Sequence, residues 1–78
     1  MPMEIAPRIS VDPSICHGAA VIAGTRVQVS LVLGSLAGGM GKEEVMEEYG
    51  VTKEDVEAAL AYAAQLVSDT QGVPLPGP

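Results

Sequence analysis

Cys16 and His17 are the first residues whose types suggest chemistry, because an imidazole beside a thiol can draw off its proton and leave a nucleophilic thiolate. Their adjacency argues against that use. Neighbouring side chains of an extended segment point to opposite faces, and no third residue is signalled that would orient the imidazole or complete a metal site. A packed cysteine and a turn histidine are expected, with no catalytic residue, no metal and no cofactor. Glu43, Glu44, Glu47 and Glu48 form a second cluster, with carboxylates that a cation would need. At this spacing they form a solvated helical face, and no ion is expected there.

Arg26 stands out among the charged residues, since it lies in an apolar segment beside a turn and its forked guanidinium fits a carboxylate or a phosphate. Two readings are open: pairing with an acid of the same chain such as Asp12, or recognition of a partner. Arg8 is a second cationic candidate, and a dimer would bring two copies of each arginine together. Val73 and Leu75, in the Pro-rich end of the chain, are candidate apolar anchors on a partner. Thr52 and Lys53 would lead a helix into a DNA groove, but Glu54, Asp55 and Glu57 would then meet the phosphates with them. Charge disfavours DNA.

Around these groups the chain spells out its elements. Residues 42–60 read as two helices joined by a tight turn. Val45, Met46 and Tyr49 share one face of the first, while Val56, Ala59, Leu60, Ala63 and Val67 recur at helical spacing in the second. Gly50 suits the left-handed residue that ends a helix, and Val51 follows as an apolar plug, which is the pattern of a helix-turn-helix. Gly41 caps the first of these helices, with Glu43 and Glu44 in the turn where the helix dipole favours negative charge. Thr52 and Asp55 make a capping-box start for the second.

An earlier helix is expected after Ser30 as its N-cap, carrying Leu31, Val32, Leu33, Leu36 and Ala37 and ending at Gly38 and Gly39. Gly34 inside it costs about 1 kcal/mol relative to alanine, and suggests that another backbone approaches closely. Ahead of this helix lies a strand candidate at residues 8–11, with Ile9 and Val11 facing inward. After the Asp12-Pro13-Ser14 turn come two short β segments, bearing Val21 and Ile22, then Val27 and Val29, about a turn at Gly24. So short a hairpin is marginal alone, and pairing across a dimer through Ile9, Val11, Val21, Ile22, Val27 and Val29 is expected. The predicted fold class is therefore mainly α. A β-hairpin arm (8–29) precedes a helical bundle (30–67), flanked by a flexible arm (1–7) and a flexible Pro- and Gly-rich tail (68–78).

Seventy-eight residues make one small domain, and a chain of this size buries only about 60% of its unfolded surface. Without Trp or Phe, its core must be built from Val, Leu, Ile, Met and Ala, so a homodimer or higher homo-oligomer is expected. A net charge of −6 opposes contact with nucleic acid and anionic membranes. The single cysteine cannot form an internal disulfide, and residues 1–5 lack a basic start followed by an apolar run. The longest apolar stretch, 27–40, is interrupted by Gln28, serines and glycines and is too short to cross a bilayer. A cytoplasmic protein without membrane contact is expected.

At Arg8-Ile-Ser-Val-Asp-Pro-Ser-Ile-Cys-His-Gly18, Val21-Ile22, Gly24-Thr-Arg-Val27, Val29, Gly39-Met40 and Glu43-Glu-Val45 the chain resembles the bacterial family catalogued as domain of unknown function 433. The resemblance runs from about residue 8 to residue 64. Ala20 and Gln28 stand where relatives often carry proline, and Gly41 where a Ser or Thr cap is usual. The resemblance implies a homeodomain-like three-helix bundle with its helix-turn-helix, and the role of an antitoxin paired with a PIN-like ribonuclease toxin. A non-enzymatic binding module is thus expected. The alternative is a helix-turn-helix transcriptional regulator binding operator DNA, alone or with the toxin.

Overall fold

Caps, glycines and apolar spacing divide the chain into three short strands followed by three helices. The computed structural model describes residues 2–70. In it β1 (Met3–Ala6), β2 (Ile9–Val11) and β3 (Val21–Ile22) form an antiparallel sheet in that order, followed by α1 (Val29–Ala37), α2 (Lys42–Tyr49) and α3 (Lys53–Asp69). Ile9 and Ile22 of the sheet meet Val29, Val32, Val45, Val51, Val56 and Ala59 of the helical part in one buried core. Each of these Val and Ile side chains contributes about 1.5–3 kcal/mol by leaving water.

The α2–α3 junction follows directly from its residues. Gly50 takes the left-handed conformation, φ 67°, and its amide donates to the Met46 carbonyl, while Val51 drops into the core. At the start of α3 the Thr52 amide donates to Asp55 Oδ2 at 3.0 Å and the Asp55 amide donates to Thr52 Oγ1 at 3.1 Å, so both halves of the capping box form. Gly41 has no side chain to offer, and only the returning half exists at α2, from its amide to Glu44 Oε1 at 3.1 Å. Ser35 and Tyr49 share a hydrogen bond of 2.7 Å that ties α1 to α2.

Several expectations are corrected. The first strand of the sheet is Met3–Ala6, expected in a loose arm, which pairs with β2. The second hairpin segment shrinks to a single bridge between Val21 and Gln28, and α1 begins at Val29 with Gln28 as N-cap instead of after Ser30. The cause is local: the Val29 amide is held by the Ala20 carbonyl at 3.0 Å, which turns the chain into helix before Ser30 is reached. Gly34 meets no close backbone, since a Cβ there would have nothing within 4 Å.

The β side chains expected at a dimer contact are used within the protomer instead. Ile9, Val21, Ile22 and Val29 are buried in the core and Val11 and Val27 are half-buried. Helix α3 runs through Ser68 and Asp69, two residues into the expected tail, and its register differs from the expected stripe. Val56 and Ala59 are fully buried, whereas Leu60 and Val67 are 38% and 69% exposed. Val73 and Leu75 lie outside the described residues.

Candidate functional site

The Cys16–Gly18 segment is a left-handed turn, not the expected extended strand, with φ of 51° at Cys16 and 56° at His17. The thiol points toward the Arg26 carbonyl, donating at 3.6 Å, and His17 is exposed. The turn therefore gives the thiol a backbone acceptor rather than a base. Among the described residues no three His, Cys, Asp or Glu side chains lie close enough to hold a metal ion. Glu44, Glu47 and Glu48 of α2 line a shallow acidic cleft with Met40, which precedes the helix.

Arg26 is placed by the turn that precedes it. Gly24 adopts φ 79°, and Thr25 then locks the next two residues: its amide and hydroxyl both donate to the Ile22 carbonyl, at 3.0 and 2.8 Å, while its hydroxyl accepts from the Val27 amide at 3.0 Å. The guanidinium is left exposed at the rim of a cavity of about 390 Å³ between β2, β3 and the turn, lined also by Ser10, Ile15 and Val21. Pairing with Asp12 does not occur, and among the described residues Arg26 has no ion pair. Asp12 accepts instead from the Ser14 hydroxyl and amide, at 2.7 and 2.9 Å, and these bonds hold its carboxyl below the usual value.

Arg8 has a different use from the one expected. It occupies the left-handed position of the β1–β2 turn, φ 65°, and donates from Nη1 to Asp55 Oδ1 at 3.1 Å. A residue type that rarely adopts this backbone thus joins the sheet to the first turn of α3. Partial burial raises the Asp55 carboxyl, but the Thr52 amide and hydroxyl and the Arg8 guanidinium together outweigh it, leaving the pKa below the usual carboxylate value.

The leading face of α3 is poorly made for DNA. The Thr52 hydroxyl caps the helix, and Lys53 lies 3.9 Å from Glu57, beside exposed Glu54. The distal half of α3 was the feature least legible from spacing. There Tyr62 and Leu66 separate two apolar grooves. One faces Ile5, Ala6 and Pro7 of the β1 region, and the other faces Ala19, Ala20, Val29 and Leu33. The available signal was composition: residues 58–64 contain only Ala, Leu and Tyr. Among the described residues no helix is long and apolar enough to cross a membrane.

A comparison with curated proteins gives no match. Two solved structures resemble the fold. Rv2018 of Mycobacterium tuberculosis is 36% identical over 67% of this chain and 24% of its own, with a TM-score of 0.62. A DUF433 member protein from Anabaena variabilis is 32% identical over 80% of this chain and 62% of its own, with a TM-score of 0.72. The chain thus spans about a quarter of one relative and about three fifths of the other. The family described as "Protein of unknown function (DUF433)" matches residues 9–63. With the β2 strand, the Gly24-Thr25-Arg26 turn and the α2–α3 junction all inside that match, the chain belongs to the DUF433 family.

Proposed function

We propose that the chain is a cytoplasmic, non-enzymatic binding module, acting as the antitoxin half of a toxin–antitoxin pair that neutralises a PIN-like ribonuclease. The resemblance supplies the class of partner. The observation that supports protein binding is Arg26, an arginine whose backbone is held by the Thr25 turn and which has no ion pair among the described residues. Rigid presentation lowers the ordering cost of a contact, and the forked guanidinium matches the acidic metal site of such a nuclease. Operator binding has less support, because the front of α3 carries three carboxylates beside one lysine, and that lysine is paired.

The test is ribonuclease activity measured with the purified chain and the nuclease co-produced from the neighbouring gene. Wild-type protein suppresses cleavage, and Arg26→Ala, with an unchanged circular-dichroism spectrum, requires at least about tenfold more protein for the same suppression, the scale of one lost charge-assisted contact. Equal suppression by both proteins would remove Arg26 from the interface. Failure of the wild type to suppress any such nuclease would remove the antitoxin reading.

A further inference from the structure

The sheet has two faces, and one of them meets the helices through Ile9 and Ile22. Side chains alternate along a strand, so Ser10 and Val21, which are cross-strand partners on β2 and β3, point to the other face. Val21 is 2% exposed there without joining the cluster that Ile9 and Ile22 form with the helices. What shelters it is the cavity of about 390 Å³ that the 24–26 turn closes, with Ile15 on another wall. Ser10 opens onto the same cavity. It is 7% exposed, and its hydroxyl has no hydrogen-bond partner among the described residues. Sheltered hydroxyls are normally paired, so this one calls for an acceptor. The exposed guanidinium of Arg26 at the rim, without an ion pair among the described residues, calls for an anion.

We propose that this cavity is a binding site for a carboxylate carried on a short aliphatic group, with Arg26 and Ser10 donating to the carboxylate oxygens and Ile15 and Val21 taking the hydrocarbon. The walls select the ligand. A carboxylate has two oxygens for two donors, whereas a phosphate would leave further oxygens against Ile15 and Val21, where nothing replaces their water. The volume lies at the lower end of the roughly 300–1,000 Å³ of small-ligand pockets, which suits a few carbons behind the charged group. The acids nearby leave the guanidinium free: Asp12 accepts from the Ser14 hydroxyl and amide, and Glu4, opposite Ser10 on β1, is exposed outside the cavity lining. Such a carboxylate has two sources, the end of a partner's chain with an aliphatic last residue or a free small acid. The inference rests on the Arg26 reading above in using the same arginine, and extends it by naming what that arginine takes.

The test uses the full chain, isotope-labelled for amide NMR, and sodium isocaproate as the probe, with sodium chloride at matched ionic strength as the reference. The amides of Ser10, Val21, Gly24, Thr25 and Arg26 are expected to shift together and to saturate, with a dissociation constant on the order of 1–10 mM, the range open to so small a ligand. Isocaproamide, which lacks the charge, and acetate, which lacks the hydrocarbon, are each expected to bind at least about tenfold more weakly. Arg26→Gln is expected to weaken isocaproate binding at least about tenfold and Ser10→Ala about three- to tenfold, with amide shifts elsewhere unchanged. Acetyl-glycyl-leucine with its free carboxylate separates the sources: tighter binding than isocaproate assigns a chain end, and equal or weaker binding assigns a free acid. Shifts that do not saturate, isocaproamide binding as tightly as isocaproate, or an Arg26→Gln protein that binds like the wild type each overturns the proposal. A chain that binds isocaproate and leaves the nuclease active keeps this site and loses the antitoxin reading, while suppression through Arg26 without isocaproate binding does the reverse.

Discussion

Val56 and Val67 are the same residue on the same helix, and one is fully buried while the other is 69% exposed. The first half of α3 is anchored: Thr52 and Asp55 cap it, Arg8 reaches it from the sheet, and Val56 and Ala59 fill the core. In the second half Tyr62 still packs on the core, but from Ala64 onward every described residue is exposed. An isolated helical segment gains little from its own hydrogen bonds, so the distal turns draw their order from continuity with the packed ones. The comparison separates two uses of one composition. Val56 and Ala59 stabilise the protomer by burial, whereas Leu66 and Val67, 47% and 69% exposed, do less for it.

The sharpest way to break that division is to make the same change at both ends. Val56→Ala should lower the unfolding free energy by about 2 kcal/mol, through lost burial and the cavity left behind, and Val67→Ala by less than about 0.5 kcal/mol in the monomer. Urea unfolding read by circular dichroism checks both, and equal costs would end the distinction. Thr52→Ala removes the cap and should cost about 1 kcal/mol in the same urea measurement, the usual magnitude for this motif. An unchanged midpoint would show that the capping box does not anchor this half of α3.

The smallest effect is one of pH. Asp55 titrates below its ordinary value in the folded chain, so the unfolded state binds the proton first and the carboxylate stabilises the fold above the unfolded value of about 3.9. That contribution disappears as pH falls through the lowered value. Thermal unfolding followed from pH 6 downward should therefore show stability falling through the acid range, with a shallower fall for Asp55→Asn. An identical slope for the two proteins would mean that the Thr52 and Arg8 contacts do not act on this carboxyl.

Much of the helical half was legible because its signals are local. Gly41, Gly50, Thr52 and Asp55 each act within four residues of themselves, and all fall where their chemistry requires. The sheet was less legible for the opposite reason. Strand β1 is exposed on both faces apart from Ala6 and is bulged between Glu4 and Ala6, so it shows no alternation, and its pairing depends on a turn at Pro7 and Arg8 that places an arginine where glycine or asparagine is usual. Ser30 had the better capping chemistry, but a backbone bond from Ala20 settled the start of α1 first. At the candidate site, the Gly24-Thr25-Arg26 segment announced a turn and an arginine. The bonds by which Thr25 fixes that turn became visible only once Ile22 and Val27 were in place. Helical periodicity gave the spacing of α3 but no indication of where the core stops, which is how Leu60 and Val67 came to be expected inside.

The Arg8–Asp55 contact also sets an order of events during synthesis. Its partners are 47 residues apart in the chain, so at roughly 5–20 residues per second the turn carrying Arg8 leaves the ribosome several seconds before its anchor exists. Helices close through neighbours in sequence and need no such wait. This one tie between the sheet and α3 therefore cannot close until the first turn of α3 has been made.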